Sequence, residues 1–201
     1  MTAAPGRLTL SSGAGIRVRR VRCATVRHEL EIPLQFSRWR ITHREFALVR
    51  VDTEDGASGF AYGLTRDGPV ADIVARSVSR FYEGLDIADP VDAFHACRLT
   101  NHQTLSAGVG MRALSLVDIA IWDALARTRG QGIARLLGGQ PRPRVATSIV
   151  GYPPSMSPAG LAEEISGLID RGWRRFKAPI AAGADESVAR MIAARDAAAD
   201  G

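Results

Sequence analysis

The chain holds a single lysine, Lys177, within the run from Gly172 to Gly183; the other 25 of its 26 cationic side chains are arginine. Trp173 to Lys177 reads as a strand that follows a glycine-ended helical pattern, and Pro179 closes it. The carboxyl end of a strand is where α/β enzymes place reactive groups, which makes this ammonium the first candidate for chemistry. The other candidates are weaker. Cys23 and Cys97 lie far apart without metal-like spacing and read as reduced, buried thiols. His95 falls on a helix face with Val91, Phe94 and Leu99, the place of a core or boundary histidine rather than a ligand. Asp185, Glu186, Asp196 and Asp200 lie on or beside a helix and read as solvated surface charge.

The elements that must position Lys177 come from 201 residues, enough for one large domain or one domain plus part of another. A hydrophobic content of 46% with 23% charged residues supports a folded core. No apolar run approaches the ~20 residues of a membrane span, and residues 1–15 lack the apolar stretch of a signal peptide, so a cytoplasmic protein is expected. The net charge of +5 raises nucleic acid as a partner. The arginines are scattered among acids, however, with neither a basic block nor an aromatic platform, which argues against it.

Alternating residues over Ile16–Leu30, Arg44–Asp52 and Ala57–Tyr62 predict three antiparallel strands. The first connection, Glu31–Arg40, reads as irregular because of Pro33; the second is a tight turn at Asp55-Gly56. Helices are expected over Val70–Tyr82, from Asp89-Pro90 to Leu99, and over Met111–Leu125, where wide apolar coverage marks a central helix ending at Gly130 and Gly132. Gln140 to Arg144 is a proline-rich linker, giving a first domain over residues 1–140 and a second over 141–201. The second domain reads β-α-β-α: a strand over Val145–Val150, a helix through Leu161, Ile165, Leu168 and Ile169, the Lys177 strand, and a helix over Asp185–Ala199 with Val188, Ile192 and Ala193 inward. That order implies parallel strands joined by right-handed crossovers.

A three-stranded antiparallel sheet with helices, followed by β/α repeats, resembles the enolase superfamily, and within it the mandelate racemase and muconate lactonizing branch. The residues that carry the resemblance are Gly59-Phe60-Ala61-Tyr62-Gly63, the helix Ala113-Leu114-Ser115-Leu116-Val117-Asp118-Ile119-Ala120-Ile121-Trp122-Asp123-Ala124-Leu125, and the stop Leu136-Leu137-Gly138-Gly139. The likeness runs from about Ile16 to the C-terminus. It implies an α+β capping domain followed by the first two β/α units of a (β/α) barrel. It also implies a magnesium-dependent enzyme that abstracts the proton α to a carboxylate, with a metal holding the developing charge and a base of tuned pKa.

Members of the family often carry a Lys-x-Lys motif at the end of the second barrel strand, the second lysine being the base. Here that strand reads Lys177-Ala178-Pro179. Lys177 matches the first lysine, and Pro179, which cannot take a proton, stands in place of the second. Three readings of Lys177 stay open: a carboxylate-binding cation with the base on a later strand, the base itself with the motif shifted by two residues, or a structural strand-end lysine. Loss of the second lysine argues against a two-base racemase and towards an acid-sugar dehydratase; a racemase or cycloisomerase is the alternative within the superfamily. A barrel of this kind takes about 250 residues, and 57 follow Arg144. The family's metal ligands sit on strands beyond these, so the chain alone is expected to bind no magnesium and to be inactive. A non-catalytic folding or dimerising module is the reading from a different class. Two capping-domain loops are candidate substrate contacts: Phe36, Arg38 and Trp39 in the first, Arg66 in the second. Arginines there suit a small-molecule carboxylate such as an acid sugar. The family is commonly oligomeric, which makes a homo-oligomer the further expectation.

Overall fold

The computed structural model describes residues 15–36, 39–140, 148–151, 156–179 and 183–199, with the backbone alone at 35, 36, 148 and 149. Strands β1 (Ile16–Phe36), β2 (Trp39–Thr53) and β3 (Ser58–Leu64) form a sheet with a fourth, short strand β4 (Asp86–Ile87) in the order β3-β2-β1-β4. The β2/β3 ladder is antiparallel from Asp52↔Ser58 to Phe46↔Leu64, which turns Ala47, Val49 and Val51 into the core. The Glu31–Arg40 stretch is not irregular: β1 continues through Pro33 to Phe36 and β2 starts at Trp39. β4 pairs only with Ile16 and Arg17, so most of β1 has one edge in the ladder, and such a strand tolerates a proline's missing N–H.

At the β2/β3 turn only Gly56 takes a left-handed φ, of 88°. Asp55 contributes its carboxylate instead, accepting from the Thr53 hydroxyl, and from Thr128 Oγ1 at 3.0 Å. Nearby, Asp52 is buried at the sheet and accepts from Ser58 Oγ at 2.7 Å, Arg50 Nε at 2.7 Å and Arg22 Nη2 at 2.6 Å. Burial pushes its carboxyl up, but the Ser58 hydroxyl and the two guanidinium groups outweigh this and hold it at about 2.

The helical layer opens with α1 (Val70–Ile73), a π-helical turn over Val74–Val78, and α2 (Ser79–Tyr82), where the apolar spacing alone predicts one regular helix. α3 (Pro90–Thr100) begins at an Asp89 N-cap whose carboxylate accepts from Val91 N at 2.8 Å. Its inward stripe is Val91, Phe94 and Cys97; of the face read from the sequence Val91 and Phe94 turn inward while His95 and Leu99 are exposed, and the His95 ring stands edge-on to Phe94 at 5.5 Å. After the short α4 (His102–Leu105) comes α5 (Gly108–Thr128), which starts earlier than the apolar pattern shows; Gly108 opens it at a left-handed φ of 59°, and Gly110 lies at the close approach of α4 and α5. A Cβ on Gly110 would stand 1.8 Å from the Thr104 oxygen. α5 is the central helix, with Leu114, Val117, Ile121 and Leu125 buried; truncating such a leucine to alanine costs about 2–5 kcal/mol. Gly130, at φ 60°, ends it, and α6 (Ile133–Leu136) stops at Gly138, at φ 75°, with Gly139 N bonding back to the Ala134 oxygen at 2.8 Å.

The strand β5 (Ser148–Ile149), the helix α7 (Pro158–Asp170), the strand β6 (Phe176–Lys177) and the helix α8 (Ala184–Ala199) follow in the β-α-β-α order read from the sequence, with β5 and β6 parallel. Ser157 caps α7 through its hydroxyl, bonded by Gly160 N at 3.1 Å, with Pro158 in the first turn. α8 does not face as expected. Val188 and Ile192 are 58% and 46% exposed, while Arg190, Ala194 and Ala197 turn towards α7, Leu161 and Ile165. Ala194 and Ala197, three apart on one face, let the two helices pack closely, and this outweighs the pull of the larger aliphatic stripe. By their contacts the residues form two compact units, Met1–Arg27 with Glu45–Pro141, and His28–Arg44 with Arg142–Gly201. Among the described residues no helix is long and apolar enough to cross a membrane.

On α5, Asp118 is half-buried beside Tyr82, and burial pushes its carboxyl up to about 6. The folded state therefore holds this proton more tightly than the unfolded chain. Its contribution to stability is complete below pH ~4 and lost as pH rises through 6. Asp118→Asn is expected to remove that component, leaving the variant more stable than the parent at pH 8 by on the order of 2 kcal/mol and equal to it near pH 4. Urea unfolding at the two pH values measures the difference, and a variant weaker than the parent at pH 8 contradicts the assignment.

Candidate functional site

β6 presents Lys177 at its carboxyl end. The preceding Phe176 packs inward with Leu161, Ile165 and Trp173 against the helices, so strand alternation turns the Lys177 side chain to the opposite face of the β5/β6 pair, where it is exposed. Val150 N donates to the Lys177 carbonyl at 3.0 Å, which fixes the backbone at this point. Among the described residues no side chain pairs with the Lys177 ammonium. It is an exposed cation at a strand end, suited to hold an anionic group.

Pro179 is half-buried two residues on, its Cδ directed at Gly151, the residue that ends the β5 segment with φ 73°. A Cβ on Gly151 would lie 3.4 Å from Pro179 Cδ and 2.7 Å from Arg190 Nη2. The position after Ala178 thus meets backbone and carries no ionisable group.

Two side chains that sequence reasoning passed over meet at Gly151. Glu164 of α7 accepts from its N–H at 2.7 Å, and Arg190 of α8 donates to its carbonyl at 3.2 Å and to the Met156 carbonyl. Arg190 is 0% exposed, and its Nε has no hydrogen-bond partner among the described residues. The only sequence signal for it is an arginine in register with Ala194 and Ala197 on one helical stripe.

The remaining sequence candidates separate. Trp39 opens β2 and is 68% exposed. Phe36 ends β1 with its side chain outside the described residues, and Arg38 lies outside them altogether. Trp39 and Lys177 belong to the same compact unit, with no hydrogen bond or ring contact joining them among the described residues, whereas Arg66 belongs to the other unit. Arg66 sits exposed at the tip of a tight turn, Thr65–Gly68, closed by Gly68 N to the Thr65 oxygen at 3.2 Å. The turn is anchored by buried Thr65, whose hydroxyl donates to Glu45 Oε1 at 2.7 Å. Arg66 and Asp67 both take left-handed φ angles, 58° and 59°, at a cost of order 1 kcal/mol for each residue lacking glycine's freedom.

No three His, Cys, Asp or Glu side chains come together to hold a metal ion among the described residues. Among the described residues the ends of β5 and β6 supply an ammonium and a proline ring, a donor set that does not fit a divalent cation.

Residues 18–138 match the family model of the mandelate racemase / muconate lactonizing enzyme N-terminal domain. A D-galactarolactone cycloisomerase from Agrobacterium fabrum is 25% identical over 185 residues, which are 90% of this chain and 49% of that protein. Among solved structures, an enolase from the alpha-proteobacterium bal199 with bound magnesium is 27% identical with a TM-score of 0.72, covering 91% of this chain and 52% of its own. A Bradyrhizobium enolase complexed with magnesium and mandelic acid shares the fold at 23% identity and a TM-score of 0.74, covering 92% and 51%. The chain spans about half the length of these relatives.

The turn geometry gives a direct test. Arg66→Asn places a residue tolerant of the left-handed region at the strained position. Thermal unfolding is expected to show a Tm unchanged or raised by a few degrees; a fall of several degrees would mean that the Arg66 side chain itself holds the turn.

Proposed function

The chain belongs to the mandelate racemase/muconate lactonizing enzyme family, and from that premise we propose that it supplies the capping domain and first two β/α units of an enzyme that removes the proton α to a carboxylate. The proposed reaction is dehydration of an acid sugar. The observation that carries this reading is the placement of Lys177: exposed at the end of β6, on the face away from the helices, with Pro179 instead of a second ionisable side chain. A lysine so placed neutralises the substrate carboxylate, which lowers the cost of the second negative charge that builds as the α-proton leaves.

Pro179 removes the base from this strand, so the proton goes to a group outside these 201 residues. The divalent metal that would hold the enediolate is likewise assigned to carboxylates outside them, and the chain by itself is proposed to be inactive. Arg66 and Trp39, with Phe36 and Arg38, are proposed to close over the substrate from the cap; a turn strained at Arg66 fits a tip held for contact rather than for stability.

A second reading, isomerisation of a sugar-acid lactone, is favoured by the relationship to the D-galactarolactone cycloisomerase. It uses the same first step and differs in whether a hydroxyl leaves. Incubating the complete gene product with magnesium, deuterium oxide and a panel of sugar acids and their lactones separates the two by NMR. Dehydration predicts loss of water to a keto-deoxy acid that carries deuterium at the carbon which lost its hydroxyl, where the enol takes up a deuteron from solvent, the former α-carbon having become the ketone. Ring rearrangement without water loss supports the second reading, and racemisation alone contradicts both.

A further inference from the structure

We propose that Arg190 and Glu164 are positioning residues that set Lys177, by gripping the two ends of the Gly151 peptide segment from adjacent helices. The inference rests on the carboxylate-binding reading of Lys177 for its functional meaning, but its geometry stands apart from that reading.

Gly151 is held on both sides. Its N–H goes to the Glu164 carboxylate at 2.7 Å and its carbonyl takes the Arg190 Nη2 at 3.2 Å. One residue earlier, Val150 N donates to the Lys177 carbonyl at 3.0 Å. The order is therefore helix α7 and helix α8 to Gly151, Gly151 to Val150, and Val150 to the backbone of Lys177. Charge-assisted hydrogen bonds to a backbone segment are about twice as strong as neutral ones and directional, so a strand end gripped this way has little freedom.

Burying a guanidinium is costly, and Arg190 is fully buried with two carbonyl partners and an Nε that none of the described residues satisfies. A methionine or leucine would fill the same stripe beside Ala194 and Ala197 without that cost. What an aliphatic residue cannot do is hold two carbonyls, Met156 and Gly151, on either side of the segment that follows β5. Gly151 is matched to the arrangement: its left-handed φ of 73° and the 2.7 Å gap to Arg190 leave no room for a side chain. Pro179 completes it, packing its ring against Gly151 from the β6 side. The proline that takes the place of a second lysine thus acts as part of the support under the first.

Because Lys177 is the only lysine, protein labelled with 15N-lysine gives one backbone amide signal, and it reports this strand end alone. The 201-residue chain serves for the measurement, with Arg190→Met and Glu164→Ala as variants. A positioning role predicts that each variant shifts the Lys177 signal and speeds its hydrogen exchange at least about tenfold at temperatures well below unfolding. A merely structural role predicts a lower Tm with the Lys177 signal and exchange as in the parent, and that result in a folded variant overturns the proposal. Should Arg190→Met lose its dispersed spectrum, Glu164→Ala decides alone, since it cuts the other end of the same grip at a side chain that is only partly buried. Neither outcome depends on activity, so the enzymatic reading can fail while this one holds, and the reverse.

Discussion

The close approach of β3 to α5 is the constraint on which the capping unit rests. At Gly59 an added Cβ would stand 1.9 Å from the Ala120 oxygen and 2.4 Å from the Ala124 nitrogen, so strand and helix touch backbone to backbone. The contact needs glycine on the strand and alanines on the helix, and it brings Asp123 within 2.9 Å of the Phe60 N–H, capping an edge of the sheet that would otherwise be open. Arg127 then pairs with Asp123 at 2.9 Å and lies over the Phe60 ring, 5.7 Å from its centroid. From this fixed seam β3 runs to Leu64, and the Arg66 turn can only project from its end. The family motif on α5 is therefore a packing specification that fixes where the Arg66 turn leaves the sheet.

The second unit solves the same problem differently. Among the described residues its β5/β6 pair is two residues long on each side, a short ladder with which to fix a side chain by pairing alone. Helices α7 and α8 supply the missing constraint through polar groups that reach in to the Gly151 backbone, in addition to the apolar contact of Leu161, Ile165 and Phe176. Backbone chemistry at a barrel strand end is thus set from behind, leaving the front face to Lys177.

Legibility in the sequence follows from how local each cause is. Asp89-Pro90 and Ser157-Pro158 show their helix starts because cap and first-turn proline are adjacent residues. α5 is legible because eleven buried positions recur along one stretch, and Lys177 because it is unique. The face of α8 was not legible: Val188 and Ile192 carry more apolar surface than Ala194 and Ala197, and only the partner helix decides that small residues go inside. Pro33 hid a strand because the tolerance for it comes from an unpaired edge. The grip on Gly151 was invisible for a simpler reason, since Glu164 and Arg190 lie 13 and 39 positions away from it.

The central claim is that Lys177 holds a carboxylate and is not the base, and a charge-preserving substitution tests it most directly. Arginine keeps the cation but cannot be deprotonated, so it can replace a carboxylate ligand and cannot replace a base. In the complete gene product, α-proton exchange followed by NMR is predicted to persist in Lys177→Arg within about a hundredfold of the parent and to fall much further in Lys177→Met. Equal and complete loss in both variants would contradict the account and make Lys177 the base.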